Sequence, residues 1–323
     1  MEQTAVEKKF GKYVMASMIT MFLQSAYSMI DGLFVSNLIG DTALSAVNVA
    51  WPVIAVVTAI GTGVGCSGAV MMSTKQGEGK NEESNIVRAN VILALLASSI
   101  VVTILFLVLL TPLLKLMGAE GELLRLSQIY GRVMLTGGVL QILSCGLTPL
   151  LRNDNRAVSA MMIMVGGLFA NLGLDFVFMY VFHMGIGGAA GASLCAQLFT
   201  TLCCLIILGT KKTDPIRFSQ FMIRKEYWKK IFKTAVSPFG ISLTPSLLIL
   251  YHNVACLKFG GDLAVNAYAL ISSTVGSYRV LLIGVAEGIQ PLASYAYGAH
   301  DFHAIRKIRN KAVITAIGVS FFL

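Results

Sequence analysis

Eight apolar runs, each long enough to cross a bilayer, recur along this chain and leave it little choice of fold. They lie near residues 13–38, 45–73, 89–114, 128–150, 158–182, 188–210, 231–257 and 263–297, and a ninth begins near Ala312. A helix of about 20 apolar residues spans the hydrocarbon core. In lipid each backbone N–H and C=O must be bonded within the segment, which selects helices. With 56% hydrophobic and 13% charged residues, the chain reads as an all-α polytopic membrane protein. The first run is too long for a cleavable signal peptide and lacks a small-residue cleavage site. The last stretch, "AVITAIGVSFFL", supplies twelve residues of a ninth helix, so the chain is expected to be a fragment of a longer parent.

The net charge of +9 does not point to nucleic acid, because its distribution follows the membrane. With the N-terminus in the cytoplasm, alternation puts 20 of the 25 Lys and Arg on the cytoplasmic side. They include Lys8, Lys9, Lys12, Lys75, Lys80, Arg88, Arg152 and Arg156, eight between Lys211 and Lys233, and four between Arg306 and Lys311. That bias predicts a multi-pass protein of the plasma (cytoplasmic) membrane with its N-terminus inside. The basic loop "KKTDPIRFSQFMIRKEYWKK" serves chiefly to retain itself in the cytoplasm, although anionic headgroups are a second use. The six cysteines all fall in apolar runs without metal-ligand spacing and read as small hydrophobes.

An internal repeat organises the chain. The segments starting at Gly40 and Gly261 align without gaps at an offset of 221 residues, matching Gly40/Gly261, Asp41/Asp262, Gly63/Gly284, Ser73/Ser294, Gly77/Gly298 and Arg88/Arg309. Six spans separate the copies, so both run the same way through the membrane. This predicts two parallel six-helix bundles, an arrangement used by secondary transporters. The expected lobes are residues 1–210, a loop at 211–230, and an incomplete second lobe at 231–323 holding helices 7, 8 and part of 9. The parent would have twelve helices. Gly61 and Gly65 in "GTGVGCSG" have the spacing that lets helix backbones approach closely. Pro52, Pro245 and Pro291 are expected to bend their helices.

Ionisable residues at membrane depth are costly, so each is a functional candidate. Tyr27 and Asp31 lie four apart in the first span, as do Asn171 and Asp175 in the fifth, and each pair shares a helix face. The seventh span carries His252 and Asn253, the eighth Arg279 and Glu287. Asp31 precedes Gly32 near a helix end, where solvation is the competing reading. Arg279 and Glu287 are two turns apart and can instead neutralise each other. His252 is a lone histidine that a neighbouring helix can satisfy. It stands, however, at the repeat position of Asp31, 221 residues on, and histidine titrates near neutral pH.

At these residues the chain resembles a known family. "MIDGLFVSNLIGDTALSAVNVAWPV", "GTGVGCSGAVMMSTKQGEGKNEE", "NLGLDFVFMYVFHMGIGGAAGASLCAQ" and "GVAEGIQPLASYAYGA" are similar to segments of multidrug and toxic compound extrusion (MATE) transporters. The resemblance implies twelve helices in two lobes around a central cleft, and export of organic cations or amphipathic compounds coupled to H⁺ or Na⁺ entry. The branch resembled most carries acids in its first and fifth helices, mapping onto Tyr27, Asp31, Asn171 and Asp175, with Ser193 as the family's small hydroxyl residue in helix six. Asp31, Asp175 and Asn171 are then the ligands that can take Na⁺, with no other metal and no cofactor. Some members bend the first helix at a proline, and this first span has none. The family's second-lobe ion sites lie on later helices.

The implied partners are small cationic or amphipathic molecules and the lipid bilayer, with no nucleic acid and a monomeric state. A lipid or lipid-linked precursor flippase is the alternative, and Arg279 is the residue that favours it. A non-transporting receptor or scaffold fits the repeat poorly. No metal-spaced ligands, oriented nucleophile or phosphate loop beside a strand is present to suggest an enzyme, since "GEGK" near Gly77 lacks the spacing of an ATP-binding loop.

Overall fold

The computed structural model describes residues 3–210 and 220–322, and they form helices throughout. The elements are α1 (Gln3–Leu38), α2 (Asp41–Gly77), α3 (Asn81–Leu116), α4 (Gly121–Thr136), α5 (Gly138–Asn153), α6 (Ala157–Asp175), a π-helical segment (Phe176–Val181), α7 (Gly185–Gly209), α8 (Lys225–Gly298) and α9 (Phe302–Phe322). Among the described residues five helices are long and apolar enough to cross a membrane, and the α4–α5 pair makes a sixth. These six correspond to the first six apolar runs. Large apolar side chains such as Val101, Val108, Phe169 and Ile206 face outward, as lipid-facing positions require.

The fourth run is not one straight span. α4 and α5 meet at Gly137 with a bend of 58°. Adjacent glycines permit the bend, and Leu194 and Thr103 crowd the sites where their side chains would stand. The Gln141 amide donates to the Met134 carbonyl, satisfying a backbone group at the kink that lipid could not.

The helix α8 contains both remaining runs and cannot be straight. Ser67 Oγ donates to the Ile231 carbonyl and Ser73 Oγ to the Pro291 carbonyl. Sixty residues of straight helix would separate those carbonyls by about 90 Å, whereas the two serines are about 9 Å apart along α2. The His252 ring also stacks on Tyr268, with centroids 5.0 Å apart. The chain therefore doubles back between these two residues, and α8 consists of two arms, one on each side of the reversal.

The contacts of these arms obey the 221-residue repeat. Gly63 packs on Ala235 and Phe239, and its counterpart Gly284 packs on Met18, the counterpart of Phe239. Gly77 lies against the Tyr295 carbonyl, and its counterpart Gly298 lies against the carbonyl of Thr74, the counterpart of Tyr295. Residue i meets j of the other copy while the partner of i meets the partner of j, as an isologous two-fold contact requires. Gly77 and Gly298 sit at the same end, so the two copies run parallel. This is the end that carries the α2–α3, α5–α6 and α8–α9 turns with their Lys and Arg, and we call it the basic end.

Two apolar clusters follow from this plan. The larger one fills the space among α2, α3, α4, α5 and α7, around Ile54, Leu95, Leu135, Ile142 and Leu147. The smaller one joins α1 to the second arm of α8 and to α9 through Tyr13, Val14, Val285, Leu292, Ala296 and Ile308. Gly61 and Gly65 sit against the backbone of Ile142 and Gly146 on α5, confirming the packing role read from their spacing. Arg88 is not the solvated loop cation that the charge pattern suggested. It is buried in α3, paired to Asp154 at 3.4 Å and to Asn85 at 2.6 Å, and Gln76 also holds Asp154 at 3.0 Å.

Gly65→Leu is expected to cost about 1–3 kcal/mol or more by overpacking α2 against α5. Gly240→Ala, where a Cβ meets nothing within 4 Å, is expected to gain about 0.4–1 kcal/mol. Thermal unfolding in detergent distinguishes the two.

Candidate functional site

The polar residues of α1 and α6 converge. Tyr27 on α1 shares its hydroxyl proton between Asn171 Oδ1 at 2.6 Å and Asp175 Oδ2 at 3.2 Å. Asn171 Nδ2 donates to the same Asp175 oxygen at 3.0 Å. The four-residue spacing on α6 puts this amide and carboxyl on one face, as the sequence indicated. Tyr27, however, turns its hydroxyl to α6. Asp31 stands one turn further along α1, where its carboxyl interacts with Tyr27 and Asp175.

Burial is uneven in a way that carries chemistry. Asp175 is fully buried and Asn171 nearly so, while Tyr27 and Asp31 are half-buried. Asp175 Oδ1 and Asp31 Oδ1 are both buried, and neither has a hydrogen-bond donor. An unmatched buried carboxylate oxygen is expensive unless a proton or cation matches it. Directly after Asp175, α6 widens into the π-helical turn Phe176–Val181, a local irregularity that clusters at functional sites. Phe176 and Tyr180 stack along it, 5.0 Å between centroids.

Tyr130 on α4 belongs to this neighbourhood and was not picked out from the sequence. It is 5% exposed and lies close enough to interact with both Asp31 and Asp175. A single tyrosine in the polar stretch "LRLSQIYGR" carries no spacing signal, and only the tertiary fold, which brings it near Asp31 and Asp175, reveals it.

The other candidates are placed elsewhere. Ser193 is half-buried on α7, outside the hydrogen bonds of this cluster. His252 is exposed, its Nδ1 is 2.8 Å from the Leu248 carbonyl, and Tyr251 and Tyr268 flank its ring. The side chain of Asn253 lies outside the described residues. Glu287 is not neutralised by Arg279, which is exposed. It pairs with Arg152 on α5 at 2.5 Å, towards the basic end. The "GEGK" turn is no phosphate cradle: Glu78 is tied by Lys75 at 3.0 Å and Lys80 at 3.1 Å. Both hydrogen bonds hold the Glu78 carboxyl below its usual range.

A helical bundle built on a parallel repeat, closed at one end and with buried acids further along, defines a repeat-type integral membrane protein. The MatE family pattern matches residues 16–177 and 241–323, and the chain belongs to that family. It is 26% identical to the multidrug export protein MepA of Staphylococcus aureus (strain N315), over 99% of this chain and 70% of the relative. A crystal structure of MATE in complex with MaL6 superimposes with a TM-score of 0.92 at 25% identity, covering 98% of this chain and 70% of that one. An outward-facing multidrug resistance MATE family transporter of the MOP superfamily gives 0.91 at 26% identity, over 98% and 70%.

Tyr27→Phe is expected to cost about 1–3 kcal/mol, because it leaves buried acceptors on α6 unmatched. In a double-mutant cycle with Asp175→Asn, the coupling is expected at about 0.5–3 kcal/mol. Additive losses in thermal unfolding would show that the hydroxyl does not serve Asp175.

Proposed function

We propose that this chain acts as a secondary active multidrug efflux antiporter, exporting organic cations or amphipathic compounds in exchange for H⁺ or Na⁺. The observation that carries the reading is the pair of buried carboxylate oxygens, one on Asp31 and one on Asp175, that lack donors beside the Tyr27–Asn171 bridge. A proton, a sodium ion or the cationic group of a substrate supplies what each oxygen lacks. Asp31, Asp175 and Asn171 are the oxygen ligands a sodium ion would use, and hard cations prefer such ligands. Only one of these occupants fits at a time, so entry of the ion displaces the substrate. That competition couples the two fluxes.

The second requirement is alternating access, and the repeat supports it. The described contacts between α1–α7 and the arms of α8 with α9 gather towards the basic end, up to Met18, Gly63 and Phe239. Tyr27 stands about 14 Å further along α1 than Met18. Beyond those contacts, Leu247, Leu248, Ile249, Val275 and Phe22 are exposed. With the basic end in the cytoplasm, in keeping with the positive-inside rule, we assign the seam to the inner side and the acid cluster to the outer part of the cleft. The name of MepA, a multidrug export protein, supports a broad substrate range. The acidic cluster does not favour a flippase for phosphate-bearing lipids; Arg88 and Arg152 are engaged by Asp154 and Glu287, which leaves exposed Arg279 as the residue that speaks for one.

Efflux of an ethidium-like dye from vesicles, driven by imposed pH or Na⁺ gradients, tests the reading. Asp31→Asn and Asp175→Asn are each expected to lower ion-driven efflux by about tenfold or more, as the loss of a hydrogen bond to a charged group implies. Undiminished efflux in both would reject it. His252, at the repeat position of Asp31, is expected to contribute to the pH dependence. His252→Ala and His252→Gln should both alter the pH profile of transport, and an unchanged profile removes His252 from the mechanism.

A further inference from the structure

At the centre of the seam, Glu287 occupies a position with a geometric meaning. Subtracting 221 from 287 gives residue 66, so Cys66 and Glu287 are repeat counterparts. They are also neighbours: Cys66, 7% exposed, is close enough to interact with Glu287 and Arg152. A residue can approach its own counterpart only beside the two-fold axis. Glu287 therefore stands at the axis, and the copies differ there by a carboxylate against a thiol. Arg152, 7% exposed, reaches it from α5 at 2.5 Å, while Glu287 itself is 28% exposed.

The rest of the seam is built differently. Thr74–Gly77 and Tyr295–Gly298 meet through backbone, and Ser73, Thr74 and Ser294 add hydrogen bonds to carbonyls and to Asn153. Beside them a cavity of about 290 Å³, lined by Lys9, Tyr13, Ser73, Asn153, Asn155 and Tyr295, interrupts the contact. The seam is thus not a continuous dry core, and Arg152–Glu287 is the one ion pair found across it among the described residues.

We propose that Arg152 and Glu287 form an electrostatic latch at the pseudo-two-fold axis that sets how readily the basic end opens. The proposal rests on the antiporter reading, since only a protein that alternates access needs this end to part. With the seam closed, the Arg152 charge is largely screened from water and satisfied by Glu287, which is itself partly exposed. Removal of one partner strands the second in a poorly hydrated site. With the seam open, both are hydrated and the loss costs little. A variant without the carboxylate therefore shifts its population towards the open form. Arg152 and Glu287 act through this population and touch neither the ion nor the substrate.

Cys66 reports the seam directly. In the full chain with its other five cysteines changed to Ala, Cys66 is labelled by a membrane-impermeant maleimide in inside-out vesicles. Glu287→Gln is expected to speed labelling about tenfold or more, less than the roughly hundredfold of a fully buried pair because Glu287 is 28% exposed. The exchanged pair Arg152→Glu/Glu287→Arg is expected to restore the parental rate. An unchanged rate in Glu287→Gln, or an exchanged pair that labels as fast as Glu287→Gln, overturns the latch. If Glu287→Gln does not insert, Arg152→Gln takes its place with the same two outcomes. Gradient-driven dye uptake by the parental chain into the same inside-out vesicles, which is efflux in the cell, separates the two ideas. Normal uptake with unaltered labelling rejects the latch alone, and absent uptake counts against the antiporter reading.

Discussion

The backbone of α2 lies directly on the backbone of the second arm of α8, where Gly77 meets Tyr295 and Gly298 meets Thr74. No hydrophobic force draws helices together within lipid, so close packing and short polar contacts must do it. Any side chain at Gly77 or Gly298 would hold the two copies apart. From this contact the remaining arrangement follows. It sets the two-fold axis, brings Val14 and Met18 of α1 onto Gly288 and Gly284, and carries the apolar cluster of α1, α8 and α9.

The acid cluster lies further along α1 than the glycine contacts of this seam. Tyr27 and Asp31 lie further along α1 than Met18, and there Tyr27 bonds to Asn171 and Asp175 on α6. A single tyrosine proton holds the two helices in register through Asn171 and Asp175, and the π-helical turn then re-aims the chain after Asp175. The cluster is incomplete by itself, with two buried oxygens unmatched. Buried polar networks are tolerated when satisfied, and this one is satisfied only by an added proton or cation. The proposed ion site and the glycine contacts that join the two copies therefore lie at different levels of α1 and α2.

Much of this was legible in the chain itself. Run length and composition specify helices, because lipid offers the backbone no other partner. The offset of 221 residues specifies parallel copies, and the reciprocal glycine contacts confirm it residue by residue. The spacing of Asn171 and Asp175 places them on one face. Other features were not legible, for identifiable reasons. Arg88 and Arg152 sit among basic residues in the charge pattern, yet fold inward because Asp154 and Glu287 approach from other helices. The bend at Gly137 lies inside the fourth apolar run, where the paired glycines permit a bend but do not set its 58° angle. Tyr130 has no neighbour in sequence to mark it.

The sequence by itself therefore determined the class of fold, the repeat and the acids set at membrane depth, since these rest on periodicity and on the cost of charge in lipid. Tertiary structure alone decided which groups meet: Tyr27 with α6, Glu287 with Arg152 at the axis, and Gly77 with Tyr295. Those pairings join residues that are between 135 and 218 positions apart. At such separations only the packing of whole helices, and no local propensity, determines a partner.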